Sequence, residues 1–345
     1  MSDNIILPNG LTLPITAKKS GNSFLAWTGV KSPFSHKNYI EIIDATTNTE
    51  KSNSIALNAL NNGASSLMIH IKSHKDISTI LKKIQLDICP IHFSGNIDQK
   101  LISASIKSLP DSQNPSEWHG SMGFNSLKNS LTKSTWHLGS LKKRISKLDI
   151  NTPKNVRTIC SYTHSITGNN SVDHVAFAIF SLIVQLDTLG WENTDRCIIF
   201  IKSHRNYLET IAMTQAIRIL WNSILKKKNR DNSSLWICGE TSSNIETDPP
   251  EQLIARSIEA QSLWLGGCDE IIIHPVEAST KAKQWARDQF LILAYETGLT
   301  KERDILKGSY LLDEWSEKII LAAKLKISEW IQNHFSIEDI QNKNL

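Results

Sequence analysis

"ARSIEAQSLWLGGCDEIIIHP", Ala255–Pro275, spans the boundary between a helix and a strand. Its first half places apolar residues at helical spacing, and Gly266-Gly267 ends the helix because glycine takes the left-handed conformation without strain. After a short acidic turn, Glu270–His274 is a continuous β-branched run, which is typical of a parallel strand covered on both faces. This stretch therefore predicts a helix that leads directly into a buried strand.

The same alternation of strand and helix patterns extends over most of the chain. The predicted strands are Tyr39–Ala45, Ser66–Ile71, Leu86–Phe93, Trp118–Phe124, Arg157–Thr163, Arg196–Lys202, Ser234–Glu240 and Glu270–His274. The predicted helices are Thr49–Asn62, Asp76–Ile84, Asp98–Leu109, Ser171–Leu189, Asn206–Lys228, Asp248–Gly266, Thr280–Thr297 and Asp313–His334. Eight strands that alternate with helices predict an α/β fold, a (β/α)8 barrel of the TIM type. A doubly wound open sheet is the alternative, but no Gly-x-Gly-x-x-Gly follows the first strand to favour it.

The barrel is predicted over residues 36–335. Residues 1–35 match no regular element and are predicted to form an N-terminal arm. Residues 125–155 are basic, polar and sparsely apolar, which indicates a linker or edge excursion between two half-barrels of four strands each. Residues 336–345 are left as a C-terminal tail.

Composition narrows the class of protein. The chain has 345 residues, 40% hydrophobic and 21% charged, which is ordinary for a globular protein with a real core. The net charge of +4 is spread along the chain, and the short basic runs 142–144 and 226–228 indicate a solvated surface, not nucleic-acid binding. The five cysteines are not closely spaced, which favours free thiols in the cytoplasm. No signal peptide and no run of about 20 apolar residues is recognised, so we expect no membrane association.

Polar residues mark the carboxyl ends of the predicted strands, where barrel enzymes carry their active sites. They are Asp44, His70, His74, His92, His164, His204, Glu240 and His274. Histidine is a common metal ligand, but these histidines are scattered along the chain and can equally be hydrogen-bonded core residues. No Ser/His/Asp set, Cys-x-x-Cys, phosphate loop or His-Glu-x-x-His is recognised. The residues alone therefore predict an α/β barrel without an assigned activity.

Several blocks of the second half resemble the coenzyme-B12-dependent acyl-CoA mutases, the family of methylmalonyl-CoA mutase. "NYLETIAMTQAIRILW" (206–221) ends in the Arg-x-Leu-Trp of that family, and the opening stretch is similar to the next helix and strand. "WARDQFLILAYETGL" (285–299) and "LKGSYLLDEWSEKI" (306–319) resemble the two segments after it. The resemblance covers residues 156–330 and implies a (β/α)8 barrel that threads acyl-CoA along its axis beneath a cobalamin domain.

The chain departs from catalytic members of that family at the positions that matter for chemistry. In those members a histidine directly follows the loop tyrosine, whereas here one residue separates Tyr162 from His164. A strand that reads Arg-Thr-His in them has Trp236 and Cys238 in its polar places, and a Leu-His-Thr-Asn strand becomes Ile271–Ile273. Bulky apolar residues at these positions are expected to fill the barrel axis.

These departures imply the small, non-catalytic type of mutase subunit, which lacks the cobalamin-binding domain. No Asp-x-His-x-x-Gly cobalamin motif is recognised, so this chain is expected to bind no cofactor itself. Adenosylcobalamin is expected to reach the reaction through a cobalamin-binding large subunit that forms a heterodimer with this chain. On its own the chain is expected to be inactive.

Two alternatives stay open. The barrel could itself bind acyl-CoA and catalyse the isomerisation with cobalamin from another chain, or it could be an unrelated metal-dependent enzyme lined by histidines. For a surviving site, the resemblance implies catalytic roles for Tyr162, beside the acyl group, and His164, on the thioester carbonyl. His204, Glu240 and His274 are the candidates for substrate binding at the barrel mouth, and no metal ligand is assigned.

Overall fold

The computed structural model describes residues 4–6, 11–14, 37–95, 98–123, 152–153, 155–163, 170–230, 235–243, 248–299, 305–306 and 308–332. His164, the tail 336–345 and all of the linker 125–155 except residues 152, 153 and 155 lie outside these ranges. The described strands are β1 Asn4–Ile6, β2 Thr12–Pro14, β3 Asn38–Asp44, β4 Ser66–His70, β5 Ile91–Ser94, β6 Gly120–Gly123, β7 Val156–Arg157, β8 Ile159–Tyr162, β9 Cys197–Lys202, β10 Trp236–Glu240 and β11 Glu270–Ile272. The described α-helices are α1 Thr49–Asn61, α2 Ile77–Ile80, α3 Gln99–Lys107, α4 Ser171–Leu189, α5 Tyr207–Lys227, α6 Pro249–Gly266, α7 Thr280–Tyr295 and α8 Tyr310–Gln332.

Strands β3 to β11 form one parallel sheet in the order β7-β6-β5-β4-β3-β11-β10-β9-β8. Strands β7 and β8 lie at its two edges but are separated in the chain by Thr158 alone. A single segment therefore pairs with β6 on one side and with β9 on the other, and it completes the barrel. The predicted barrel of TIM type is confirmed, and the predicted strand Arg157–Thr163 is divided by a break at Thr158.

Helices cover the outer face of the barrel and supply most of the core. Helix α4 illustrates the arrangement, because it packs against β8 and is itself covered by α5 and α8. By length and composition α4 could cross a membrane, but 72% of its most apolar window is buried inside the protein. Its apolar character is therefore explained by its position as a core helix.

The helix-to-strand joint quoted at the outset is held by an arginine from α5. Gly267 takes φ +93°, so it closes α6 as a left-handed residue, and a side chain at Gly266 would meet Thr214 of α5 at 2.9 Å. Arg218 donates from Nε to the Gly267 carbonyl at 3.0 Å and contacts Asp269 Oδ2 at 2.6 Å. The two glycines therefore allow close helix packing, and the arginine satisfies the carbonyl left open at the helix end.

Three local expectations need correction. The predicted strand Leu86–Phe93 begins at Ile91, because its first part is a turn that buries Leu86 and Cys89 but leaves Ile88 exposed. The predicted helix Asp76–Ile84 shortens to a 3-10 turn followed by α2, and Lys83 has a left-handed φ of +68°. Within the N-terminal arm, β1 and β2 form an antiparallel pair, and Lys318 of α8 donates to the Thr12 carbonyl.

Candidate functional site

The inner face of the barrel is filled by side chains. A second apolar cluster, separate from the main core, is formed by residues of the strands. It is called here the bore cluster and comprises Ile40, Cys160, Tyr162, Ile198, Phe200, Cys238 and Ile272, with Ile42, Met68 and Trp236 packed against it. The first seven are each at most 8% exposed. Of the residues expected to fill the axis, Trp236, Cys238 and Ile272 belong to this cluster, whereas Ile271 and Ile273 belong to the main core.

A charged cluster lies at the amino-terminal side of the bore cluster. Glu270 is fully buried, and its Oε2 lies 2.9 Å from Nε2 of His92 and accepts a 2.9 Å hydrogen bond from the Trp236 indole. Asn38 donates to Oε1 at 3.4 Å. The Arg157 guanidinium stacks 4.0 Å above the Trp236 ring, which adds a cation–π contact. Four strands thus place charged or polar groups around one buried carboxylate.

The charge state of Glu270 is decided by these neighbours. Burial by itself raises the pKa of the Glu270 carboxyl, but the charge and hydrogen bond of His92, the Trp236 hydrogen bond and the charge of Arg157 outweigh it. Together they lower the pKa to about 2 from an ordinary 4.5. His92, a candidate mouth residue by sequence, instead lies in the bore, where its Nδ1 contacts Ser121 Oγ at 2.9 Å. Glu270 and Arg157 were not among the sequence candidates, since a lone charge at a strand start carries no recognisable signal.

Tyr162 belongs to the bore cluster and is 8% exposed. Its ring stacks on Phe200 with centroids 4.5 Å apart and planes 4° from parallel. Burial raises the pKa of its phenol well above 10, so the hydroxyl stays protonated. The structure therefore places the side chain of this sequence candidate in the bore, packed against Phe200.

Glu240 and His274 do meet at the mouth. Oε2 of Glu240 lies 3.2 Å from Nε2 of His274, and the side chains are 18% and 20% exposed. The backbone N–H of His274 donates to Thr241 Oγ1 at 3.0 Å. A carboxylate and an imidazole in contact can hold and exchange a proton, which makes this pair a candidate for acid–base chemistry.

Helix α6 supports the pair from behind with two nearly buried charged residues. Arg256 donates to the His274 carbonyl at 2.7 Å and to the Ser243 carbonyl at 3.2 Å. Glu259 accepts from the backbone N–H of Ser242 at 2.7 Å and from its hydroxyl at 2.5 Å. The carboxyl ends of β10 and β11 are therefore fixed by side chains of one helix.

His204 is placed differently. It is 5% exposed, its backbone N–H donates to Thr210 Oγ1 at 2.9 Å, and its ring packs 4.8 Å from the ring of His174 in α4. The ring of His204 therefore packs against helix α4. Ser203, the residue before His204, donates its backbone N–H to the Glu240 carbonyl at 2.9 Å.

A row of three polar residues lies across β3, β4 and β5. Asp44 is paired in register with His70, and His70 with Ser94. His70 Nδ1 makes a short hydrogen bond with Ser94 Oγ, while Asp44 Oδ1 accepts from the Thr46 N–H at 2.9 Å. Strand register therefore brings Asp44, His70 and Ser94 to neighbouring positions, which spacing along the chain does not reveal.

Among the residues that the structure describes, no group of three or more His, Cys, Asp or Glu side chains is arranged to hold a metal ion.

Residues 63–334, which are more than half of the chain, match the family model for methylmalonyl-CoA mutase. The chain belongs to the methylmalonyl-CoA mutase family. Within this mutase-family barrel, the Arg of the Arg-x-Leu-Trp block is Arg218, which contacts the helix-to-strand joint and the Leu235 carbonyl.

The block around residues 285–299 is likewise structural in its described contacts. Arg287 of α7 forms a buried ion pair with Glu41 of β3, with 2.8 Å between Nη1 and Oε2. Gln289 donates to Leu253 and Ser257 of α6 at 2.6 and 2.7 Å. These mutase-family residues join α7 to the barrel and to its neighbouring helix.

Curated relatives match a part of this chain. A methylmalonyl-CoA mutase of Rhizobium meliloti (strain 1021) is 31% identical over 137 residues, which is 36% of this chain and 19% of that protein. One of Cereibacter sphaeroides is 31% identical over 147 residues, 39% of this chain and 20% of that protein. The matched stretch therefore spans about a fifth of the length of each mutase.

Solved structures with similar coordinates include dihydropteroate synthases. The wild-type Plasmodium falciparum HPPK-DHPS covers 76% of this chain and 47% of its own, at 13% identity and a TM-score of 0.43. The Yersinia pestis enzyme covers 84% of this chain and 100% of its own, at 12% identity and a TM-score of 0.38. Similarity at this level carries no argument about function.

Proposed function

We propose that this chain is the non-catalytic small subunit of a mutase that isomerises the carbon skeleton of an acyl-CoA. In this proposal it forms a heterodimer with a large subunit that binds adenosylcobalamin and carries out the reaction. Membership of the methylmalonyl-CoA mutase family supplies the reaction class. The filled axis of the barrel is the observation that favours a non-catalytic role.

The bore offers no passage for the pantetheine arm that a catalytic barrel of this family is expected to hold. To open it, Tyr162, Phe200 and Trp236 would have to leave their packed positions, each at a cost of roughly 2 kcal/mol of lost burial. The Glu270 cluster would also have to open, at about 3 to 5 kcal/mol. These costs together exceed the roughly 8 kcal/mol that binds a micromolar ligand, so no net affinity would remain.

The fixed positions of Glu240 and His274 at the mouth are compatible with a non-catalytic role. Glu240 and His274 are held by α6 above a closed bore, so they do not line a substrate channel. No residue of this chain is assigned to adenosylcobalamin, because the proposal places the cofactor in the partner chain. What this chain contributes is a stiff barrel against which the catalytic subunit is stabilised.

Reconstitution tests the proposal. The purified chain and a mutase large subunit with a cobalamin-binding domain should elute as one heterodimer in size-exclusion chromatography with light scattering. Isomerisation of acyl-CoA with adenosylcobalamin should require the large subunit and should be absent with this chain alone. Isothermal titration of this chain alone with a non-hydrolysable thioether analogue of the acyl-CoA should give no heat of binding.

Variants of the sequence candidates separate the alternatives. In the heterodimer, Tyr162→Phe, Glu240→Gln and His274→Ala should each change the rate of isomerisation less than about twofold, because they touch no substrate. A loss of tenfold or more with any of them, or turnover by this chain with adenosylcobalamin alone, would show that the barrel is itself catalytic. Stoichiometric zinc or iron in the purified chain would instead favour the metal-dependent alternative.

A further inference from the structure

The row formed by Asp44, His70 and Ser94 lies at the carboxyl ends of three adjacent strands, the end at which barrels of this type carry their chemistry. Because register-paired residues of parallel strands project to the same side of a sheet, the three side chains share one face. None of them belongs to the Glu240–His274 pair. The row is therefore a separate cluster, on β3 to β5, which follow β11 along the same sheet.

Within this row, the hydroxyl of Ser94 contacts the imidazole of His70. His70 Nδ1 and Ser94 Oγ form a short hydrogen bond, His70 is exposed and Ser94 is half-buried, so a small molecule can reach both atoms. The backbone around Ser94 is held firmly, because Ile71 N–H donates to the Ser94 carbonyl at 3.1 Å. Gly95 follows at φ +143°, where a Cβ would lie 2.4 Å from the Ile71 carbonyl oxygen. Glycine is therefore required directly after this serine.

A second serine–histidine pair in the same barrel provides an internal comparison. Ser121 Oγ lies 2.9 Å from His92 Nδ1, so the two groups have the same chemistry as Ser94 and His70. Both residues are at most 1% exposed. The two pairs differ in access to solvent, and the buried one sits in the ion cluster with Glu270.

We propose that Ser94 is a nucleophile activated by His70, and that this pair hydrolyses short, activated acyl esters, thioesters included. Ser94 Oγ attacks the carbonyl carbon while its proton passes to His70 Nδ1. The tetrahedral intermediate then collapses, the C–O or C–S bond breaks, and the leaving group takes the proton from His70. Water then attacks the acyl-serine and gives a proton to His70. The bond between the acyl carbon and Ser94 Oγ breaks, Oγ takes the proton back from His70, and the carboxylic acid leaves.

Asp44 is assigned a positioning role. It lies beside His70 in register, and its Oδ1 is held by the Thr46 N–H at 2.9 Å. A carboxylate next to the imidazole favours the cation that forms when His70 takes the serine proton. The activity is independent of the mutase proposal, because it needs neither cobalamin nor a partner subunit.

Covalent labelling tests the assignment on the purified full chain. A fluorophosphonate probe should add to the wild-type protein at one site, located at Ser94 by peptide mass spectrometry, and Ser121 should stay unlabelled. Ser94→Ala should abolish the label, and His70→Ala should slow both labelling and the hydrolysis of p-nitrophenyl acetate by about 100-fold or more. Ser54→Ala, on the exposed face of α1, should react like the wild type.

A cysteine replacement keeps the test decisive if alanine disturbs the loop. All five native cysteines are buried, so the Ser94→Cys variant should take up one iodoacetamide per chain at position 94. Adding His70→Ala to that variant should suppress the uptake, since the thiolate depends on the imidazole. Equal labelling of wild type and Ser94→Ala, or a wild-type chain inert to the fluorophosphonate, would overturn the proposal.

Discussion

Replacement of Glu270 by glutamine tests whether the ion cluster in the bore stabilises the fold. The carboxyl pKa is about 2 in the folded protein against an ordinary 4.5, and each unit corresponds to about 1.36 kcal/mol. The ionised carboxylate therefore contributes about 3 kcal/mol of stability at neutral pH. Glu270→Gln keeps an acceptor for the Trp236 indole but removes the charge that faces His92 and Arg157. We expect it to lower the free energy of unfolding at pH 7 by that amount.

The pH dependence has a definite sign. A carboxyl whose pKa is lowered by folding stabilises the protein fully above its unfolded pKa, and the contribution is lost as the pH falls toward the folded value. For Glu270 the window runs from about pH 4.5 to about pH 2. About 2 kcal/mol of the contribution should disappear between pH 5 and pH 3. Below that range the carboxyl is increasingly protonated in both states.

Urea unfolding followed by tryptophan fluorescence at pH 7, 5, 4 and 3 measures both effects. The wild type should lose more stability than Glu270→Gln between pH 5 and pH 3, by about 2 kcal/mol. Glu41→Gln is the matched control, because Glu41 forms a buried pair with Arg287 on the outer face of the barrel. That control should be destabilised at pH 7 but should keep the steeper decline. Parallel curves for wild type and Glu270→Gln would refute the reasoning.

Three further outcomes follow from the described contacts. Arg218→Ala should lower the free energy of unfolding, measured with urea, by roughly 3 kcal/mol, because the carbonyls of Gly267 and Leu235 lose their charged donor. A loss below about 1 kcal/mol would contradict this role. Gly266→Ala should lower the melting temperature although alanine favours helix, because its Cβ would meet Thr214 at 2.9 Å; an unchanged or higher value would mean that the helices separate at no cost. The five buried cysteines should be unreactive toward a disulfide reagent in the native protein and should all react in denaturant. Burial raises the pKa of the Cys89 and Cys268 thiols to about 12, which disfavours the reactive thiolate. A thiol that reacts fast in the native protein would contradict this burial.

Much of the architecture is predictable because its signals are local. Caps, stops and apolar periods identify the strands and most of the helices, and the helix stop at Gly266-Gly267 is visible in the letters alone. The sequence-based prediction is wrong where buried apolar residues of a turn produce the same apolar pattern as a strand. The turn before Ile91 buries Leu86 and Cys89 and so resembles the start of a strand.

The candidate site was less predictable because its members are brought together by register. Tyr162 packs on Phe200 in the bore, and its expected place beside a substrate stays a prediction, while Glu240 and His274 meet at the mouth. Whether this mouth binds a substrate stays a prediction. Ser94 carries no motif, and it becomes notable once the structure places it on His70.

The sequence by itself determined the order of strands and helices and the family to which the chain belongs, because both depend on patterns within short windows. Strand period 2 also separates Tyr39 and Glu41 from Ile40 and Ile42, but it does not say which set faces inward. Tertiary structure decided that: Tyr39 meets Phe290 and Glu41 meets Arg287 on the helix side, while Ile40 and Ile42 fill the bore. Closure of the sheet then brought residues far apart in the chain around one buried carboxylate, which no local pattern encodes.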